Sequence, residues 1–186
     1  MGLKKEIIKV NVINLNPVRY GISNKANKRR RINTTAIKKI AARVIKRLSR
    51  KHPPSPKKKI RSRYASVDAR RRPSTMNSPI HESGQRKLNL NIILVRDKYI
   101  KNLNRTYRHR NLATDVLCFC MPGGADIFIS SEAAAYNSKR FGTTFFNELC
   151  LYIIHGILHM FGFRDDTASK RRKMERAQER ILKELT

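Results

Sequence analysis

A chain of 186 residues is long enough for one domain with a real core. Forty-two Lys and Arg against thirteen Asp and Glu leave a formal net charge of +29, which points to a polyanionic partner, nucleic acid by default, without any sequence specificity of its own. No run of ~20 apolar residues offers a transmembrane helix.

Other exclusions follow from the first residues and the cysteines. Lys9, Asn11 and Asn14 interrupt the apolar stretch after the basic start, against a signal peptide, and Glu6 breaks the myristoylation pattern. Cys118, Cys120 and Cys150 form no CxxC, so neither a disulfide scaffold nor a cysteine-based zinc site is expected, and all three read as small buried apolar residues. These features together give the expectation of a cytoplasmic protein with no membrane partner.

In chain order, Ile7 to Leu15 alternates as a strand and is closed by Asn16-Pro17. After a basic patch from Lys25 to Arg31, Thr34 or Thr35 can cap an amphipathic helix with Ile37, Ile40, Ala41, Val44 and Leu48 on its apolar side. From Ser49 to Pro73 the sequence holds ten Lys or Arg, one acid and four prolines, so mutual repulsion and proline oppose regular structure. This segment, extended to about residue 87, is expected to be a flexible basic insertion in a single 1–186 domain. Lys57, Lys58, Lys59, Arg70, Arg71 and Arg72 are its candidate RNA-binding side chains.

Leu88 to Arg96 reads as a second strand, and Asp97 as the cap of a helix through Ile100, Leu103 and Tyr107. Val116 to Phe119 is a third strand and Asp126 to Ser130 a fourth, joined through Pro122-Gly123-Gly124 closely enough for an antiparallel hairpin. Ser131-Glu132 opens a helix that Gly142 ends. Thr143 or Thr144 precedes a long apolar helix from about Phe145 to Phe161, and a charged helix from about Thr167 to Leu185 follows.

The apolar helix carries the sharpest chemical signal. His155 and His159 lie four residues apart, about 40° apart on one helix face and about 6 Å along the axis, so both imidazoles can reach one ion. A third ligand requires the chain to break and return. Gly162 can supply the break with left-handed dihedrals, and Asp165 then lies where a carboxylate oxygen would complete the set. Two nitrogens, one oxygen and an open position describe a catalytic rather than a closed structural zinc site. Proteases with HExxH place their general base directly after the first histidine. Here that position is Gly156, which disfavours metal-assisted proteolysis.

Three blocks make the chain resemble the YbeY endoribonuclease family. Leu103-Asn104-Arg105-Thr106-Tyr107-Arg108, followed by Thr114 to Phe119, matches a family block LNxxYR and then PTDVLSFP. Asp126 to Ser130 matches GDIxIS, and His155 to Asp165 matches HGxLHLxGYDH. The resemblance covers roughly Leu88 to Asp166, and more loosely the first strand and helix. It implies an α+β fold with a mixed sheet of about four strands and a zincin-like HxxxH metal helix packed against it. It also implies zinc held by three histidines. His155 and His159 carry over, whereas Asp165 stands where the third histidine belongs, and Asp166 is the alternative carboxylate. Oxygen in place of nitrogen lowers Lewis acidity and shifts preference toward harder divalent metals.

The functionally important arginine of the first block falls on Arg108, whose guanidinium can clamp a phosphodiester oxygen. Ala113, Cys118, Cys120 and Ala125 depart from the family's Pro, Ser, Pro and Gly. The implied function is a metal-dependent single-strand endoribonuclease in ribosomal-RNA maturation, chiefly of the small subunit, and in ribosome quality control. Its implied partners are ribosomal RNA and the ribosomal subunit or its assembly proteins. The alternative is a non-enzymatic RNA-binding assembly factor with a structural metal. No general base is evident at the site.

Overall fold

The computed structural model describes residues 7–15, 32–51, 87–121 and 123–185. Nine elements follow in chain order: β1 (Ile7–Asn14), α1 (Thr34–Lys51), β2 (Lys87–Val95), α2 (Asp97–Arg108), β3 (Val116–Met121), β4 (Gly124–Ser130), α3 (Ser131–Arg140), α4 (Phe145–Met160) and α5 (Ala168–Leu185). The fold is α+β. α1 includes Lys51 and β2 begins at Lys87, so described structure covers both ends of the stretch expected to be an insertion at about 49–87. Residues 52–86, and with them Lys57, Lys58, Lys59, Arg70, Arg71 and Arg72, lie outside the described residues, as does the Lys25–Arg31 patch.

The four strands form one mixed sheet in the order β1-β2-β4-β3. β1 pairs parallel with β2 and β2 parallel with β4, while β3 and β4 close the expected antiparallel hairpin. Strand alternation sends successive side chains to opposite faces. Leu90, Ile92 and Leu94 of β2, Val116 and Cys118 of β3, and Ala125, Ile127 and Ile129 of β4 enter one core with α1, α4 and α5. Ile93, Val95, Leu117, Phe119 and Phe128 face the other way and enclose Ile100 of α2. A polar row crosses that second face: Asn11 Nδ2 donates to Asn91 Oδ1 at 2.8 Å, and Asn91 Nδ2 donates to the buried Asp126 Oδ1 at 2.7 Å.

Two helix starts differ from expectation because a neighbouring group supplies the acceptor. Asn33 Oδ1, rather than Thr34 or Thr35, accepts from Ala36 N at 2.9 Å and caps α1. Asp97 is the first residue of α2 rather than its cap; its backbone N–H donates to Glu132 Oε2 at 2.8 Å and its carboxylate accepts from the Ser130 hydroxyl. Thr144 does cap α4, accepting from Asn147 N at 3.1 Å.

The apolar helix α4 lies against β3 and β4, flanked by α1, α3 and α5. Gly156 makes this approach possible. A Cβ there would lie 2.6 Å from Ile127 Cγ2 and 2.7 Å from Ile127 Cδ1, inside any real contact distance. The residue after His155 therefore faces the sheet, and a glutamate at that position would be driven into the core rather than toward an ion.

Candidate functional site

The end of α4 turns back through a complete Schellman motif. Gly162 adopts φ +85°, its N–H donates to the His159 carbonyl at 2.9 Å, and Phe163 N–H donates to the Leu158 carbonyl at 3.0 Å. The chain break anticipated at Gly162 is this motif. Its geometric product is that the Phe163 carbonyl and then Asp165 return over the last turn of the helix that carries the histidines.

His155 and His159 each have one ring nitrogen occupied. His155 Nδ1 lies 3.0 Å from Gln178 Oε1 on α5, and His159 Nδ1 lies 3.1 Å from the Phe163 carbonyl. Both acceptors are oxygens, so in the neutral rings each Nδ1 carries the proton and donates, which leaves each Nε2 with a lone pair. The two Nε2 atoms converge to 3.1 Å. Asp165 Oδ2 lies 4.0 Å from His155 Nε2 and 3.8 Å from His159 Nε2. One donor atom from each of the three residues falls within 4.8 Å of the others. Ligands at about 2.0–2.2 Å around a tetrahedral ion sit roughly 3.3 Å from one another, so this N2O set suits a divalent cation with modest closure by Asp165. Its half-exposed carboxylate leaves one side of the cluster open to solvent.

Burial, followed by the charge of His155, pushes the His159 pKa below its ordinary value, with Arg108 adding to the effect while Asp165 opposes it. The neutral, ligating form is thereby favoured. Asp166 turns away from the histidines. Its carboxylate pairs with Lys170 at 3.1 Å and Arg164 at 3.8 Å, and the hydrogen bond from Lys170 chiefly lowers its pKa. Asp165, not Asp166, is thus the carboxylate beside the imidazoles.

Arg108 ends α2 with its side chain exposed. Its charge contributes to lowering the pKa of both His159 and Cys120. Neighbouring residues explain how an exposed side chain is aimed. Tyr107 meets Phe119 edge-on with ring centroids 5.1 Å apart, and Phe119 meets Phe128 at 5.7 Å, so the last turn of α2 is anchored on β3 and β4. Beyond it, His109 adopts φ 57°, and the buried Asn104 holds the turn: its carbonyl accepts from His109 and Arg110, and its Nδ2 donates to the Leu112 carbonyl at 2.9 Å. The Leu-Asn and Tyr-Arg pairs of the first block are in this way a mounting for one arginine.

Gln178 was not foreseen. It lies 23 residues from His155, and no local spacing connects them. A signal exists in α5 nonetheless: Met174, Ala177, Ile181, Leu182 and Leu185 form its core-facing stripe, and Gln178 sits within that stripe as an uncharged polar residue in a helix otherwise rich in charge. The contact between Cys118 and Cys120 was also missed, since each was read as an isolated apolar residue.

Comparisons with known proteins identify the family and the fold. The family model described as Endoribonuclease YbeY matches residues 65–186. A protein named Endoribonuclease YbeY from Carboxydothermus hydrogenoformans is 36% identical over 102 residues, covering 52% of this chain and 71% of its own length. Another of that name from Moorella thermoacetica is 38% identical over 109 residues, covering 50% and 70%. A solution structure of a Thermotoga maritima protein superposes with a TM-score of 0.51 at 18% identity over 96% of this chain and 89% of that one, a likeness of fold.

Proposed function

The chain belongs to the YbeY endoribonuclease family, and on that premise we propose that it is a metal-dependent single-strand endoribonuclease acting in ribosomal-RNA maturation, chiefly of the small subunit, and in ribosome quality control. The observation that carries the reading is the convergence of the His155 and His159 Nε2 atoms at 3.1 Å, with the Asp165 carboxylate facing both. These three residues would hold one divalent ion, zinc by its nitrogen donors, with the Asp165 oxygen widening the choice toward harder metals. Such an ion supplies Lewis-acid polarisation of a phosphoryl oxygen and a more acidic bound water.

The remaining roles belong to the chain itself. Gln178 and the Phe163 carbonyl hold the imidazole tautomers, each accepting an Nδ1 proton. Arg108 reaches the same region with its side chain exposed, where a guanidinium can bind two oxygens of one phosphodiester and stabilise charge as the bond to the leaving oxygen breaks. The basic segment from 52 to 86, with Lys57, Lys58, Lys59, Arg70, Arg71 and Arg72, would track the RNA backbone within the same single domain. Ribosomal RNA and the subunit that contains it are the corresponding partners, in the cytoplasm. No helix among the described residues is long and apolar enough to cross a membrane.

The test uses purified protein, a single-stranded ribosomal-RNA fragment, and the variants Arg108→Ala and His159→Ala. Both substitutions are expected to remove cleavage of the RNA. Undiminished cleavage by both would place the activity elsewhere and overturn the assignment. RNA affinity should also fall with salt at a slope near −0.7 per phosphate contacted, roughly as for other single strands; a flat response would remove the basic segment from RNA binding.

A further inference from the structure

Beside the histidine cluster, and outside every role described above, lies a pair of thiols. Cys118 and Cys120 are two apart on β3 and therefore emerge on the same face, the one turned to α4. Their Sγ atoms are 3.5 Å apart, and Cys118 Sγ also lies 3.5 Å from the Gly156 carbonyl, in the helix turn between His155 and His159. Cys118 is buried, whereas Cys120 is partly open to solvent. We propose that Cys118 and Cys120 are a peroxide-reactive thiol pair, in which Cys120 is oxidised first and Cys118 resolves it to a disulfide.

The geometry permits closure. Residues two apart on a strand have Cα atoms about 6.6 Å apart, since each residue advances about 3.3 Å. That falls at the upper end of the range of about 4.4–6.8 Å in which disulfides form, while the Cβ atoms start about as far apart against the roughly 3.5–4.5 Å of a disulfide, so closure requires the strand to pucker locally. Among the described residues β3 is an edge strand, paired there with β4 alone, which leaves its backbone room to adjust as the sulfurs approach.

The two thiols are also unequal in the required sense. The hydrogen bond from Cys118 chiefly lowers the Cys120 pKa, and Arg108 adds to the effect against the opposing influence of burial. The same hydrogen bond, with burial, pushes Cys118 well above its ordinary value. Cys120 is therefore the more readily ionised of the two, with Cys118 as its hydrogen-bond donor. Cys150, pushed up to about 11 by burial on α4, serves as an internal control.

The steps balance. The Cys120 thiolate attacks one oxygen of hydrogen peroxide, the O–O bond breaks, and a sulfenic acid forms as hydroxide leaves. The Cys118 sulfur then attacks the Cys120 sulfur and the S–OH bond breaks. The proton released from Cys118 joins the departing hydroxide as water. Two thiols lose two electrons, and one peroxide becomes two waters once the first hydroxide is protonated.

The consequence for activity rests on the endoribonuclease reading. Closure draws the Cys118 sulfur from the Gly156 carbonyl and removes the ionisable thiol whose charged form Arg108 favours. Both changes fall beside the groups assigned to RNA cleavage. A displacement of about 1 Å at such a site lowers turnover by roughly 10²-fold.

The experiment treats the reduced, full-length protein with hydrogen peroxide, then denatures it and labels it with iodoacetamide for intact-mass analysis. The reduced protein should take three labels, one for each cysteine. The oxidised protein should take one, on Cys150, with a mass lower by two hydrogens before labelling. The conservative variant Cys118→Ser should instead yield a dimedone adduct at Cys120, and Cys120→Ser should keep both remaining labels. Three labels retained after peroxide that oxidises a dithiol standard, or a dimedone adduct on Cys150, would overturn the pair.

RNA cleavage is followed in parallel. Oxidised wild type should lose it and regain it with dithiothreitol, while the double Ser variant keeps it throughout. Equal cleavage by oxidised and reduced wild type would overturn control of the site by the pair. Absence of cleavage in the reduced protein would instead count against the endoribonuclease assignment, with the mass readout still deciding the thiols.

Discussion

The histidine cluster and Arg108 face one region of the molecule but are held there by opposite means. His155 and His159 sit on a helix pressed against the sheet through Gly156, with both Nδ1 atoms occupied. Arg108 projects from the last turn of α2, with its backbone fixed by Asn104 and Tyr107 and its side chain exposed to solvent. The first arrangement suits a ligand that tolerates little error in distance, and the second suits a flexible, highly charged substrate. Binding of an ion and handling of a phosphodiester should therefore be separable by mutation.

The largest effect is expected for His159→Ala, which removes one of two nitrogens. Divalent metal in the purified protein, measured by elemental analysis, should fall to background, and RNA cleavage should fall with it. Arg108→Ala should lower kcat by about 10²–10³-fold, the scale on which a single charge-stabilising group acts, while leaving metal content unchanged. Loss of metal in this variant would erase the distinction between the two regions.

Gln178→Leu keeps volume and removes the acceptor for His155 Nδ1, so metal affinity should drop about 10–100-fold, read by competition with a chromogenic chelator. Gly156→Ala tests the seating of α4. A methyl group 2.6 Å from Ile127 should cost about 1–3 kcal/mol in urea denaturation, and Ile127→Val should recover part of the loss.

The smallest effect is a pH dependence. Because burial and the charge of His155 depress the His159 pKa, the unfolded chain binds the more protons once the pH drops below about 6.5. Stability of the metal-free protein is thus full above that pH and is lost as the pH falls toward the folded value. His159→Gln should flatten the decline in thermal melts between neutral and mildly acidic buffer.

Much of this was legible in the residues. The short link through Pro122-Gly123-Gly124 anticipated the β3–β4 hairpin, and the His155, His159, Gly162 and Asp165 spacing anticipated a returning turn that proved to be a Schellman motif. Legibility ended where partners come from distant elements. Gln178 reaches His155 from another helix, and Glu132 receives the first N–H of α2 from 35 residues away, so Asp97 is not that helix's cap. Cys118 and Cys120 were local in sequence, yet composition invited their treatment as two small hydrophobes. Strand periodicity alone could have put their sulfurs side by side.

The polar row Asn11–Asn91–Asp126 also bears on how the chain finds its fold. It joins three strands whose members are 80 and 35 residues apart, both in parallel pairings that close late and from a distance. Apolar residues alone would accept a slide of two residues almost as well as the native alignment, since such a slide keeps each side chain on its face. Matching amides and a carboxylate do not accept the slide toward Ile93, which leaves the buried Asp126 facing a hydrocarbon neighbour instead of the Asn91 amide. The row thus works as a one-way ward between distant strands, admitting the native alignment and turning back a slide toward Ile93.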